Sequence, residues 1–349
     1  MKRRERVRFR GMAEMLSSSD ADVARAGALL RAGELVAVPT ETVYGLAANA
    51  FREDSVRAIF AAKDRPFFDP LIVHVHSLAQ AGTLADVSHP FVGKLASAFW
   101  PGPLTLVLPR KAVVPDVVTA GEPTVAVRMP AHPLMRRILL AADVPLAAPS
   151  ANPFGYVSPT TAEHVRDSLG GRIGWIVDGG PCVCGVESTI VLVSDSPRLL
   201  RPGVITRERL EAALGVPVAP AKGHLEKLAD AAEAESSRAR PAPGMLKRHY
   251  SPRVPVRLFP WGEVPRDVPA GAAVVFQAAP TAEKTAALPA DARIFHLSEN
   301  GDQEEAARAV FSLLRRLDAG NFSEMLIEKS PESGVGVAVN DRLSRAAAR

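Results

Sequence analysis

The sequence predicts an α/β fold arranged as two units, and three observations carry that prediction. From about Asp20 to Gly215, short apolar strands alternate with helix-patterned segments. A polar, Ala- and charge-rich stretch bounded by prolines then breaks the pattern, and a smaller strand–helix alternation follows it. The chain has 349 residues and 47% hydrophobic content, and one core rarely serves more than about 250 residues.

In the first unit, "ELVAV" (34–38) reads as a strand stopped by Pro39. "EDSVRAIFAAK" (53–63) reads as a helix with Asp54 or Ser55 near its cap and Val56, Ile59 and Phe60 on one face. "LIVHVH" (71–76) is a strand whose two histidines share a face, because side chains alternate with period two. "LTLVLP" (104–109), "TVAVRM" (124–129), "VPLAA" (144–148), "IGWIVD" (173–178) and "STIVLV" (188–193) bring the unit to at least six strands. "HPLMRRILLAA" (132–142) and "TAEHVRDSLG" (161–170) read as helices. In the second unit, strands at 254–259, 271–277, 292–297 and 324–329 surround a helix at 303–320, which suits a small doubly wound sheet. The expected organisation is a basic arm (1–13), a main unit (14–215), a linker (216–252) and the second unit (253–349).

The net charge is +4, but the first ten residues alone carry +5, which leaves about −1 for the remainder. That arm could touch RNA; a frayed, solvated terminus is the preferred reading. The two cysteines, Cys182 and Cys184, are too few for a disulfide framework or a four-ligand zinc site. They read as reduced thiols of a cytoplasmic protein. No apolar run reaches the ~18–20 residues that span a bilayer, and the charged N-terminus lacks the apolar stretch of a secretion signal.

Polar residues cluster where the strands of the first unit end, the usual ligand crevice of an open α/β sheet. "PTETVYGL" (39–46) offers two threonines to a ligand's polar head, or merely caps a turn. In "KDRPFFDPL" (63–71), Lys63 and Arg65 stand in a proline-stiffened loop and suit a triphosphate, Lys as a point charge and Arg as a fork. A solvated charged loop is the alternative. His74 lies near that loop, as a candidate ligand contact or a satisfied structural histidine, with no metal partner to be placed beside it. Arg128 lies inside an apolar strand, so it must be paired or face a polar cavity. Paired with a protein carboxylate it reads as structural; otherwise it can clamp a substrate carboxylate. "APSANPFGYVSPT" (148–160) supplies Ser150, Asn152 and Ser158, or else forms local Asx and ST turns. "GVESTI" and "LLRPGVI" add Ser188 and Arg201. There is no P-loop, HExxH or GxSxG motif, and "GVGVAV" (334–339) lacks a third glycine and, on this reading, a following helix.

Taken in order, "PTETVYGL", "KDRP…DPLIVHV", "PGPLTLVL", "VAVRMPAHP", "PSANPFGYVSPT", "DGGPCVCGVESTI" and "LRPGVI" resemble the YrdC-like domain over residues 20–215. "PGMLKRHYSP" (243–252) and "GVGVAVNDRLSRAA" resemble the linker and C-terminal domain of the long-form L-threonylcarbamoyladenylate synthases. The resemblance implies a twisted open sheet around a large positively charged cavity, with a smaller Rossmann-like α/β domain behind it. It implies synthesis of threonylcarbamoyl-AMP from L-threonine, bicarbonate and ATP, with release of pyrophosphate, for threonylcarbamoyladenosine in tRNA. The family signature falls on Lys63, Arg65, Ser150 and Asn152. The resemblance places ATP near Arg65, Asp69, Thr124, Asn152, Ser158, Arg201 and Tyr250, and threonine near Thr42, His74, Arg128, Ser150 and Ser188. Tyr250 would gate the cavity. Asp69 stands where many relatives carry Asn, and its charge is unfavourable beside phosphate unless it meets Mg²⁺ or turns away. A monomer is expected, with Mg²⁺ arriving on ATP, a tRNA contact open, no membrane partner, and a downstream threonylcarbamoyl transferase complex to receive the product.

That chemistry needs no covalent enzyme nucleophile; positioning and charge neutralisation suffice. Two other classes compete. A non-catalytic RNA-binding or ribosome-assembly protein would show RNA affinity that falls steeply with salt. A carbamoyl transferase of the hydrogenase-maturation type would carry additional zinc-finger-like and acylphosphatase-like segments, and the sequence shows neither.

Overall fold

The computed structural model describes residues 11–220 and 249–348. Residues 1–10 of the expected arm and 221–248 of the expected linker lie outside the described residues.

In chain order the first unit runs β1 (Glu14–Leu16), α1 (Asp20–Ala32), β2 (Val36–Val38), β3 (Gly45–Asn49), α2 (Glu53–Lys63), β4 (Ile72–His74), α3 (Leu78–Leu84), α4 (Pro90–Phe99) and β5 (Leu104–Pro109). It continues with α5 (Asp116–Thr119), β6 (Thr124–Arg128), α6 (Pro133–Ala142), β7 (Leu146–Ala147), α7 (Ala162–Leu169), β8 (Trp175–Val177), β9 (Thr189–Leu192), β10 (Arg198–Arg201) and α8 (Arg207–Leu214). The second unit holds β11 (Val256–Phe259), β12 (Ala273–Phe276), α9 (Ala282–Ala286), β13 (Arg293–His296), α10 (Gln303–Asp318), β14 (Met325–Glu328) and α11 (Gly336–Ala347).

The first ten strands form one mixed sheet in the order β1-β8-β2-β3-β7-β4-β6-β5-β9-β10. The last four form a parallel sheet in the order β11-β14-β12-β13. Local chemistry sets most helix ends. Ser19 caps α1 by accepting from the Asp22 N–H, and Gly33 closes it at φ 98°. Helix α2 starts at Arg52 with no side-chain cap, so Asp54 and Ser55 lie inside its first turn. Asp302 caps α10, whose Ala306, Val310, Phe311, Leu314 and Leu317 recur at helical spacing and are buried.

Two expectations need correction. The strand expected at 71–76 ends at His74, so His76 is not part of it. "GVGVAV" does open a helix: α11 begins at Gly336, where a β-carbon would sit 2.2 Å from the Pro331 carbonyl oxygen.

One core packs around the large sheet through residues such as Phe60, Leu106 and Val127. The core of the second unit contains Phe311, Leu314, Val339 and Leu343, and it also takes in Val43, Val157, Val186 and Tyr250. Loops from the first unit are thereby fixed inside the second unit's core, beside the strand ends where the polar residues lie. Among the described residues, no helix is long and apolar enough to cross a membrane.

Candidate active site

Strand ends build the site. His74 and Arg128 are the last residues of β4 and β6 and face each other in parallel register. Arg201 ends β10 and Ser188 immediately precedes β9. The 39–44 turn and the 148–160 loop lie against each other, tied by N–H bonds from Tyr44 to the Pro159 carbonyl (2.9 Å) and from Ala151 to the Tyr44 carbonyl (2.8 Å). Together they enclose a cavity lined by Thr42, Arg65, His74, Arg128, Ser150, Glu187, Ser188, Arg201, His249 and Tyr250, among others. Its free volume is about 50 Å³, room for a few waters, whereas small-molecule sites commonly offer ~300–1,000 Å³. His249 and Tyr250 close it, their rings 4.1 Å apart, with Tyr250 packed 5.2 Å from Phe311 of α10.

The arginines face the cavity, and two of them have a carboxylate behind them. Arg128 pairs with Glu41 at 2.7 Å, donates to Thr42 Oγ1 at 2.9 Å and to the Gly102 carbonyl at 3.3 Å. Arg65 pairs with Asp69 at 2.9 Å and donates to the Pro70 carbonyl at 2.9 Å. Neither Glu41 nor Asp69 lines the cavity, whereas both arginines do. Arg128 thus has the carboxylate partner that the sequence reading tied to a structural role: Nη2, Nη1 and Nε are engaged by Glu41, Thr42 and Gly102, while the side chain also lines the cavity. Asp69 has turned toward Arg65, which offsets its charge. Arg201 donates to Ser188 Oγ and to the Ser188 carbonyl, each at 3.1 Å, and Ser188 Oγ meets Thr105 Oγ1 at 2.8 Å.

Burial holds the pKa of Arg65 and Arg201 below the ordinary arginine value. An anion entering the cavity would restore the solvation these cations have lost. Burial also opposes ionisation of Glu41, but Arg128 outweighs it and holds the carboxyl below its usual range.

Not every expected residue faces the cavity. Lys63, the last residue of α2, is buried and donates from Nζ to the carbonyls of Ser150 and Asn152. The ammonium holds the loop that carries the polar side chains, and burial, with Arg65 nearby, lowers its pKa well below the ordinary lysine value. Asn152 is also turned inward, donating to the Pro153 and Tyr156 carbonyls at 2.9 and 2.8 Å. Ser158 donates to Glu187 at 2.6 Å. Thr124 opens β6 at the end opposite Arg128, ~13 Å away at strand rise, and does not line the cavity. Lys63→Met should therefore lower stability by about 1–3 kcal/mol by leaving two carbonyls without their donor. It should also cut turnover by about 10² through displacement of the loop. Thermal melts and steady-state rates check both, and an unchanged Tm would contradict the loop-holding role.

Sequence reading missed four residues: Glu41, Glu187, His249 and Arg342. Glu187 stands in "GVESTI" as a carboxylate at the mouth of an apolar strand, a signal that should have prompted a search for its cation.

His74 is neutral at physiological pH. Burial first, and then Arg128, lower its pKa to about 3. A histidine depressed in the folded state contributes stability above its ordinary pKa, ~6.5, that is lost as pH falls from there toward 3. Tm should stay level between pH 7 and 8 and fall below 6.5, less steeply in His74→Gln. Equal slopes in the two proteins would contradict this. Burial likewise raises the Cys182 thiol to about 12, so it is no thiolate nucleophile at neutral pH.

Comparison with known proteins agrees with the architecture. Residues 28–203 match the family model described as "Telomere recombination" (Sua5, YciO and YrdC), and residues 205–348 match "Threonylcarbamoyl-AMP synthase, C-terminal domain". The threonylcarbamoyl-AMP synthase of Bacillus subtilis is 41% identical over 97% of this chain and 96% of its own length. That of Pyrococcus abyssi is 41% identical over 92% of each. The crystal structure of P. abyssi Sua5 complexed with L-threonine superposes with a TM-score of 0.82, at 37% identity, over 96% of this chain and 98% of that one. On both its halves, then, this chain belongs to the threonylcarbamoyl-AMP synthase family.

Proposed function

We propose that the chain makes L-threonylcarbamoyl-AMP from L-threonine, bicarbonate and ATP, releasing pyrophosphate, for threonylcarbamoyladenosine in tRNA. The observation that carries this reading is one cavity lined by Arg65, Arg128 and Arg201, with Glu187 the one carboxylate among the described residues that line it. A binding site for anionic reactants side by side needs such an excess of cations.

In this reading Arg128 and Thr42 receive the threonine carboxylate and polar head, with neutral His74 beside them as a hydrogen-bond partner. Arg65 and Arg201 receive the ATP phosphates, and Ser150 and Ser188 bridge the two regions. The threonine amine attacks carbon dioxide and gives up a proton, or attacks bicarbonate with loss of water, to give a carbamate. A carbamate oxygen then attacks the α-phosphorus, and pyrophosphate departs with its negative charge met by the arginines. Asn152, Ser158 and Asp69 act from behind, by fixing the loop, Glu187 and Arg65. In this reading Mg²⁺ arrives as part of the incoming nucleotide. With about 50 Å³ free, the cavity admits ATP only if Tyr250 and His249 move. Their return would shield the carbamate and mixed anhydride from water. A cytoplasmic monomer handing its product to a threonylcarbamoyl transferase complex fits this role.

The test is pyrophosphate release with threonine and bicarbonate varied separately. The reading expects both to be required; ATP turnover indifferent to threonine would end it.

A further inference from the structure

The second unit does more than cover the cavity. Arg342, on α11, has no exposed surface. It donates from Nε to Glu187 Oε2 at 2.9 Å, and from Nη1 to the Pro202 carbonyl and to Asp341, each at 2.8 Å. The other oxygen of Glu187 accepts from Ser158. Glu187 forms part of the cavity wall and Arg342 does not. A buried guanidinium of one unit therefore neutralises the carboxylate that faces the anion site of the other.

We propose that Arg342 is a positioning residue for the reaction: by neutralising Glu187 and fixing Ser158 through it, it sets the affinity of the cavity for the nucleotide polyanion. The inference rests on the reading that this cavity takes ATP. Glu187 is faced by Ser158 from the loop, Arg201 from β10, Arg342 from α11 and Tyr250 from the roof, and Asp341 of α11 shares Arg342 with it. Without Arg342, a buried carboxylate with less compensation would stand at the wall where phosphates must bind. The threonine end is built on Arg128 and Thr42, whose side-chain hydrogen bonds and ion pairs run to Glu41, Gly102 and Thr40 and not to Glu187 or Arg342.

Four proteins test this: wild type, Arg342→Met, Glu187→Gln and the double variant, each titrated separately with ATP and with threonine by calorimetry. Arg342→Met should weaken ATP by about tenfold or more and threonine by less than about threefold. Adding Glu187→Gln should return ATP affinity to within about threefold of the Glu187→Gln protein. Unchanged ATP affinity in Arg342→Met overturns the proposal. So does an equal loss for both ligands that the second substitution does not repair, because that pattern belongs to general disruption. If Arg342→Met does not fold, Glu187→Gln decides alone. Removing the carboxylate should tighten ATP by about threefold or more, and unchanged or weaker binding overturns the proposal. Wild-type protein that binds no ATP fails the functional reading itself; wild-type binding with no difference among variants fails this inference only.

Discussion

Arg128→Ala is expected to lower kcat/KM for threonine by about 10²–10³, the usual loss when one charge-stabilising group is removed from a site. The substitution takes away a guanidinium that lines the cavity and strands Glu41. That carboxylate is buried and ion-paired with Arg128 at 2.7 Å, and breaking a buried pair from one side costs about 3–5 kcal/mol. Stability and catalysis can be separated with Arg128→Ala/Glu41→Gln, which removes both charges. The double variant should regain most of the lost Tm and almost none of the threonine-dependent rate. Recovery of rate along with Tm would assign Arg128 a structural role only. Arg128→Lys should fall between, since lysine keeps the charge and loses the fork.

The second large effect is expected at Arg65. Arg65→Ala should reduce turnover by about 10²–10³ and weaken ATP rather than threonine. Arg65 lines the cavity on the side of the 148–160 loop, with its guanidinium 5.9 Å from the Phe154 ring. It is held open by Asp69 and by the Asp69 and Pro70 carbonyls. This arrangement leaves the guanidinium little freedom to lose when phosphate arrives. Steady-state kinetics with each substrate varied in turn would show it, and a loss confined to threonine KM would reverse the assignment of the two ends of the cavity.

How far the sequence could lead is clear at particular residues. Strand β5 and helix α2 lie where their patterns put them, because each has an unbroken apolar periodicity. Strand β3, "GLAAN", escaped notice: it has no β-branched residue and owes its strand state to β2 and β7 on either side. Its small residues suit the crowding there, since a β-carbon on Gly45 would lie 3.3 Å from that of Ala148. Among the site residues, Arg128, Ser188 and Arg201 stood out as polar groups in or beside apolar strands, and Arg65 as a cation in a proline-stiffened loop; they share one cavity. Lys63 looked identical to Arg65 by that criterion, yet its ammonium points at backbone carbonyls. Direction of a side chain at a helix end is decided by the loop packed over it, and local sequence does not encode that loop's position. Glu41 and Arg342 were illegible for a related reason: their partners lie far along the chain, and in the case of Arg342 in the other unit.

From the sequence, Arg128 reads as structural if a protein carboxylate pairs with it. Arg128 is so paired, with Glu41, and Arg65 with Asp69; neither carboxylate lines the cavity, which has about 50 Å³ free. The most direct measurement is a crystal structure with L-threonine and a non-hydrolysable ATP analogue. It should place the threonine carboxylate on Arg128, the phosphates between Arg65 and Arg201, and the Tyr250 ring over both. Ligands bound elsewhere, with Arg65 and Arg128 still engaged only by Asp69 and Glu41, would contradict it.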